Sequence, residues 1–461
     1  MEVDVVDLVI VGAGPGGLAA ATEARRAGLG VTLLDEQVTP GGQIYRAVDA
    51  ASPRMRAVLG EDYAAGALLT KEFAQSGANH VAGASVWNVG RDRKVHYLHR
   101  GVNKSVEGRH IVLATGAMER PFPIPGWTLP GVMGAGAAQI LYKSAGALPS
   151  QPVVLAGCGP LLYLLASQYL NAGVKLAAVV HTTRFGDYLR AAAHLPAALR
   201  GWRDLRKGMR MLSHLRSNDV PVYAGAKDFA IEGVDRAEAV CFTHKGRTHR
   251  IATPLVLLHQ GVVPNTQLSW SLRAEHAWNE DQLCWVPQTD DYGQIDESGI
   301  FIVGDSRGIV GAKASAWQGR LAAIDIASRL HKLPARDRSA REAAVRTELG
   351  KNLHIRPFLD ALYRPPERHR IPVQDSVVVC RCEEVSAGQI RNHVGLGCQG
   401  PNQTKAFGRC GMGPCQGRLC GLTVTEMIAD ARGVAPVDVG YYRIRPPIKP
   451  VTLGELAGEG A

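Results

Sequence analysis

The chain has 461 residues, 46% of them hydrophobic and 20% charged, with a surplus of ten basic over acidic side chains. That composition supports two or three domains with real cores and argues against disorder. No run reaches the roughly 20 apolar residues that a membrane helix needs, and acids stand in the opening segment where a secretory signal is basic, so a cytoplasmic protein without an integral membrane segment is expected.

Residues 5 to 35 read as strand, glycine turn, helix and strand. Gly12-Ala13-Gly14-Pro15-Gly16-Gly17 supplies Gly-x-Gly-x-x-Gly at the turn. In that context Gly12 permits the tight turn, Gly14 lets the backbone approach a pyrophosphate, and Gly17 lets helix and strand pack closely. Asp35 closes the second strand where an acid accepts hydrogen bonds from a ribose hydroxyl, with Glu36 as a substitute. A glycine-rich turn without a ligand is the bland alternative.

Ile111 to Ala117 is a strand running into glycine, and the proline-rich stretch 121–130 after it reads as a crossing between domains. A second βαβ unit starts at Val153 and turns through Gly157-Cys158-Gly159-Pro160-Leu161-Leu162. Leu162 replaces the third small residue, and Val180 and His181 stand where the ribose acid belongs, so this site is degenerate for NAD. Arg184 could meet a 2'-phosphate or ATP, although a basic surface residue explains it as well.

Residues 186–216 are helical by composition, and eight Lys or Arg between Arg184 and Arg216 face only Asp187 and Asp204. A solvated amphipathic helical pair is the plain reading, and a docking face for a partner protein or an acidic carrier is the functional one. No nucleic-acid motif accompanies the charge, so no nucleic-acid partner is expected. Further strands at 255–258 and 299–303 precede Gly304-Asp305 and a long helix over 312–330. The charged, proline-punctuated stretch 333–372 reads as a linker.

Cysteine marks the rest of the chain. None of the nine lies in residues 1–157, while six crowd into residues 380–420. In a reducing compartment such clustering favours metal or redox chemistry over structural disulfides. Cys380-Arg381-Cys382 and Cys410-Gly411-Met412-Gly413-Pro414-Cys415 offer four thiolates for a 2Fe-2S cluster, with glycines whose NH groups can reach sulfur. A tetrahedral zinc site and a redox disulfide between Cys410 and Cys415 are the alternatives, and the departure from Cys-x-x-Cys spacing favours iron and sulfur. Cys398 and Cys420 read as spare buried cysteines. The prolines near the end predict an extended arm.

Over about residues 1–330 the chain resembles the flavoprotein family of glutathione reductase type, on Gly41-Gly42-Gln43, Ala114-Thr115-Gly116, Gly261-Val262-Val263-Pro264-Asn265 and Gly304-Asp305. The resemblance implies an α/β fold with two Rossmann-type domains and FAD at the first. It places Gly12, Gly14, Pro15, Gly17, Asp35, Glu36, Gly42, Gln43, Thr115, Gly116, Gly304 and Asp305 against the cofactor, Asp305 on the ribityl chain. The redox cysteine pair of that family's disulfide reductases is missing from these segments, so disulfide reduction is not expected.

Gly41 to Arg46, Met118 to Pro123, Cys380 to Val385, Arg409 to Arg418 and Arg445-Pro446-Pro447 narrow the resemblance. They resemble the flavoprotein A subunits of octopine and nopaline oxidases, D-hydroxyproline dehydrogenase alpha subunits and a hydrogen cyanide synthase subunit, which end in a small helical 2Fe-2S domain like bacterioferritin-associated ferredoxin. The domains expected are FAD-binding at 1–145 and 285–332, a degenerate dinucleotide fold at 146–284, a linker at 333–372, the 2Fe-2S domain at 373–432 and an arm at 433–461.

The activity implied is electron transfer within a hetero-oligomeric dye-linked dehydrogenase that oxidises an amino acid or opine at a C-N bond. A beta subunit like D-amino-acid oxidase would hold the substrate, beside a small ferredoxin-like gamma subunit, with a quinone or other acceptor and a place in the cytoplasm or peripheral at the inner membrane. No catalytic residue is assigned. An FMN at a subunit interface and ATP or another nucleotide in the second domain stay open. So do glycine oxidation as in hydrogen cyanide synthase, a stand-alone NAD(P)H reductase and a structural subunit.

Overall fold

The computed structural model describes residues 4–457. The first strand, Asp4–Val11, carries Leu8, Val9 and Ile10 with no exposure, because both faces of its sheet are covered. Parallel neighbours Val31–Asp35 and Val102–Leu113 flank it, followed outward by Asn79–Ala82 on one side and Ile300–Ile302 on the other. Residues more than 280 positions apart in sequence therefore share one sheet, since Ile300–Ile302 pairs in register with Ile111–Leu113.

Two helices, Pro15–Arg26 and Ala312–Arg329, lie against each other on this sheet. Their contact needs glycine: a Cβ on Gly319 would fall 2.0 Å from the Gly16 carbonyl oxygen. This close approach carries the glycine turn at residue 12 and the 304–311 loop to the same end of the sheet.

A second sheet, all parallel, runs in the order Val222–Ala224, Leu176–His181, Val153–Cys158, Leu255–Gln260 and Val132–Gly134. The antiparallel pair Ala117–Glu119 and Val262–Pro264 joins the two halves. The stretch expected to be helical over 186–216 forms three helices, Phe185–Ala192, Leu195–Arg200 and Trp202–Ser217.

The stretch 333–372 is not an open linker. It forms the helices Ala335–Leu353 and Arg356–Leu362. Of its five prolines, Pro334 sits at the cap of the first helix and Pro357 in the first turn of the second, where a missing NH costs little, and the other three follow the helices. The charges between them pair along the first helix, Arg338 with Glu342 at 3.6 Å and Glu342 with Arg346 at 2.8 Å. Arg338 also reaches Asp325 at 2.9 Å, which ties this helix to Ala312–Arg329.

Residues 434–457 carry two short helices, Pro436–Val439 and Leu453–Ala457, with irregular backbone between them that packs against the body of the chain. Tyr442, Ile444 and Ile448 are buried in the same apolar cluster as Val9, Val11 and Cys380, and the Ile448 NH donates to the Trp87 carbonyl at 3.0 Å. Among the described residues no helix is long and apolar enough to cross a membrane.

Candidate functional site

The first site forms where the two glycine-bearing loops meet. Gly12 has φ +108°, and a Cβ there would lie 2.4 Å from the Ala114 carbonyl oxygen, while one on Gly17 would lie 1.9 Å from the Gly12 oxygen. Both glycines are therefore demanded by the protein itself. Gly14 differs: it caps the helix begun by Pro15, and a Cβ on it would meet nothing within 4 Å. That space faces free NH groups at a helix N-terminus, which suits an anionic pyrophosphate.

Gly42, at φ +61°, packs against Gly14, since its Cβ would sit 2.8 Å from the Gly14 Cα. Asp35 ends its strand with Oδ2 accepting from the Ala13 NH at 2.5 Å and Oδ1 from the Gln37 NH at 2.7 Å. Glu36 points elsewhere, into an exposed ion pair with Lys449 of the arm at 2.6 Å. Thr115 donates through Oγ1 to the Asn265 carbonyl at 3.0 Å, and the Asn265 NH donates to the Gly116 carbonyl at 2.9 Å. Gly304 donates its NH to Gln318 Oε1, and Asp305 Oδ1 accepts from the NH groups of Val310 and Gly311, each at 2.8 Å.

Two cations here escape sequence reasoning. Arg46 is buried beside Gln43, donating to its Oε1 at 3.2 Å, and its Nε finds no partner among the described residues. Burial lowers its pKa, against the pull of Asp35 and Glu36. A buried cation with an idle donor fits a site built for an anion. Lys143, from the helix Ala135–Ala145, donates to the carbonyls of Gln43 at 3.2 Å and Ile44 at 2.8 Å and to Gln139 Oε1 at 2.9 Å. Arg46 lies at the end of the Gly41 to Arg46 motif, whereas Lys143 has no local signal at all.

Burial, then the charge of Arg46, pushes Lys143 down to about 7. An unfolded lysine titrates near 10.5, so between pH 7 and that value the unfolded chain binds more protons and stability rises with pH. Relative to Lys143→Met, the wild-type chain is expected to gain stability from about pH 7 to about pH 10 in denaturant titrations. Parallel pH curves for the two proteins would refute this account of Lys143.

The second glycine turn is closed by the chain itself. A Cβ on Gly157 would lie 1.7 Å from the His259 carbonyl oxygen, and one on Gly159 would lie 3.0 Å from His259 Nε2. The buried His259 ring thus covers the turn, held by Glu119 Oε1 at 2.8 Å from its Nδ1. Cys158 donates its thiol to the Tyr363 carbonyl at 3.5 Å, and the Tyr363 ring lies 6.2 Å from that of Tyr163. Tyr363 follows the helix Arg356–Leu362, so part of the stretch with linker composition sits over this turn.

The thiols gather at the far end of the chain in two adjoining sets. Cys380, Cys410 and Cys420 are buried with their Sγ atoms all within 4.8 Å of one another. Cys382 instead contacts Cys415, whose NH donates to it. Hydrogen bonds from the thiols of Cys410 and Cys420, together with the NH groups of Gly411 and Glu383, hold Cys380 well below the usual thiol range. Cys420, expected from the sequence to be a spare buried cysteine, is buried and stands in the inner set beside Cys380 and Cys410. The repeat of four intervening residues, Cys410 to Cys415 and Cys415 to Cys420, is the signal that could have found it. Cys398 is buried outside both sets.

Five thiols and converging NH donors suit a thiolate-held iron-sulfur centre. The backbone around them is tightly determined. A Cβ on Gly413 would fall 2.2 Å from the Cys382 Cβ, and one on Gly411 would fall 2.5 Å from the ring of Tyr442. Tyr442 donates its hydroxyl to Cys410 Sγ at 3.4 Å, and Ser386 and Gln389 form the expected capping box just after Cys382. The two sites are also joined: Gln267, two residues after Asn265, donates through Nε2 to the Gln416 carbonyl at 2.8 Å.

Similarity to known proteins bears on both sites. Residues 6–327 match the pyridine nucleotide-disulphide oxidoreductase family, and residues 375–459 match the sarcosine oxidase A3 domain. The opine oxidase A subunits of Rhizobium meliloti and Agrobacterium tumefaciens (strain Ach5) are each 45% identical over 98% of this chain, covering 87% and 92% of their own lengths. Hydrogen cyanide synthase subunit HcnB of Pseudomonas aeruginosa is 32% identical over 98% of both chains. An L-proline dehydrogenase of P. horikoshii shares the fold with a TM-score of 0.72 at 18% identity, over 99% of this chain and 80% of its own.

Proposed function

Because the chain belongs to the pyridine nucleotide-disulphide oxidoreductase family, and within it stands with the opine oxidase A subunits, we propose that it is the FAD-binding electron-transfer subunit of a multi-subunit dehydrogenase that oxidises an amino acid or opine at a C-N bond. The observation that carries this reading is the bond from Gln267 to Gln416, which locks the cysteine loop to the end of the flavin site. Bound FAD would accept an electron pair and a 2Fe-2S cluster would pass electrons singly.

The chain's own residues do the holding. Gly14 and the helix behind Pro15 receive the pyrophosphate, with Arg46 near it, and Asp35 faces the ribose side. Gly42, Gln43, Thr115, Gly116, Gly304 and Asp305 frame the remainder. Cys380, Cys382, Cys410 and Cys415, with Cys420 now beside them, supply the thiolates. No acid, base or nucleophile is assigned, in keeping with a substrate pocket in a beta subunit like D-amino-acid oxidase. A quinone acceptor, an interface FMN and a small gamma subunit belong to the same reading.

A hydrogen cyanide synthase-type role has the same architecture and a less similar relative behind it. A stand-alone NAD(P)H reductase is disfavoured by His259 and Tyr363 over the second glycine turn. The test is anaerobic titration by visible absorbance. The isolated chain should stay oxidised with amino acids, opines, NADH and NADPH, and should be reduced by opine or amino acid once its partner subunit is added. Catalytic reduction of the isolated chain by any of these compounds would overturn the relay.

A further inference from the structure

We propose that the helical stretch 185–217 is a docking face for an anionic lipid bilayer. Its outer side is unusually apolar for a surface without a partner: Phe185 is 77% exposed, Leu189 62%, Leu199 57%, Trp202 52% and Met209 63%. These residues span all three helices, Phe185–Ala192, Leu195–Arg200 and Trp202–Ser217, while Ala191, Ala198 and Leu215 anchor the inner side. The exposed apolar groups thus lie off the packed side of each of the three helices.

Charge selects the occupant. Arg200, Arg203, Arg206, Arg210 and Arg216 are exposed, and none forms an ion pair among the described residues. The guanidinium of Arg206 lies 5.8 Å over the Trp202 ring. Of the acids in the stretch, Asp187 is buried as a helix cap and only Asp204 is exposed. Positive charge facing outward with no internal partner complements an anionic surface.

The mixing of the two kinds of residue favours lipid over protein. Protein interfaces also use Arg, Trp and Met, but a protein partner would have to match each of five unpaired arginines with an acid of its own on desolvation, whereas an anionic bilayer presents phosphate throughout. At a bilayer the apolar groups enter the acyl boundary, while the arginines extend along their stems to reach lipid phosphates. The segment is too short and too polar to span, so the attachment is peripheral and reversible.

The test uses the complex purified with its partner subunits, sedimented with vesicles of phosphatidylcholine alone or with roughly a third phosphatidylglycerol. Binding should be on the order of tenfold or more stronger to the anionic vesicles and should weaken at high salt. Phe185→Ser with Leu189→Ser, and separately Arg203→Gln with Arg206→Gln and Arg210→Gln, should each remove most of it while FAD content and far-UV circular dichroism stay unchanged. Equal binding to neutral and anionic vesicles, or wild-type sedimentation of both folded variants, overturns the proposal. Loss of partner subunits from the variants with vesicle binding intact also overturns it, and makes the face a protein interface.

Discussion

Cys380→Ala protein is expected to purify folded but without iron, and without the EPR signal that a reduced 2Fe-2S centre gives. Cys380 lies beside both Cys410 and Cys420 and receives two backbone NH groups, so its loss removes the most heavily hydrogen-bonded thiol of the inner set. Removing Cys382, which reaches Cys415, should have the same effect. Five thiols then compete for four positions, and single Ala variants at Cys410, Cys415 and Cys420 identify which one is dispensable. Cys398→Ala serves as the control, lying outside both sets, and should keep its iron. Full iron and an unchanged EPR signal both in Cys380→Ala and in the double variant Cys380→Ala, Cys420→Ala would remove the centre from this part of the chain.

Gly14→Val should give the cleanest loss of flavin, for a reason visible in the geometry. A Cβ at Gly12 or Gly17 collides with the protein's own backbone, so substitutions there disturb folding and binding together. At Gly14 the added atoms enter open space, and the backbone, at φ −76°, accepts any L-residue. The variant should therefore fold with a near-normal melting transition while FAD binds roughly 100-fold more weakly, about 3 kcal/mol. Stoichiometric FAD in purified Gly14→Val would show that the pyrophosphate does not approach this glycine.

The parts of the molecule legible in the sequence are those set by neighbours along the chain. The glycine turn and the capping box after Cys382 are local patterns with one physical cause, and Gly12, Gly17 and Ser386 stand where that cause requires, while Asp35 ends the next strand and accepts from the Ala13 and Gln37 NH groups. Features made by distant segments are not legible. His259 covers a glycine turn about a hundred residues before it, and Cys420 joins Cys380 only because the helix Gly421–Arg432 folds back over the loop. The stretch 333–372 differs from its linker reading because charge and proline weigh as loop signals, whereas charges four apart support a helix and a first-turn proline does not oppose one. Glu36 pairs with Asp35 only by adjacency, yet adjacent residues at a strand end point to opposite sides, and its partner is Lys449.

The packed arm has a consequence for how the protein is made. Tyr442 lies on Gly411 and Gly417, Tyr441 on Gly421, Ile448 bonds to Trp87, and Lys449 reaches Glu36, so the cysteine loop and the rim of the first nucleotide turn share one strap. Those residues leave the ribosome after the strands and the cysteine loop that they brace. The cover of the first sheet and the wall around Cys410 must wait until residues 441–449 have emerged. On the iron-sulfur reading proposed above, iron delivery can precede closure of the strap, and a chain ending just before Tyr441 should accumulate as flavin-competent protein that retains no iron.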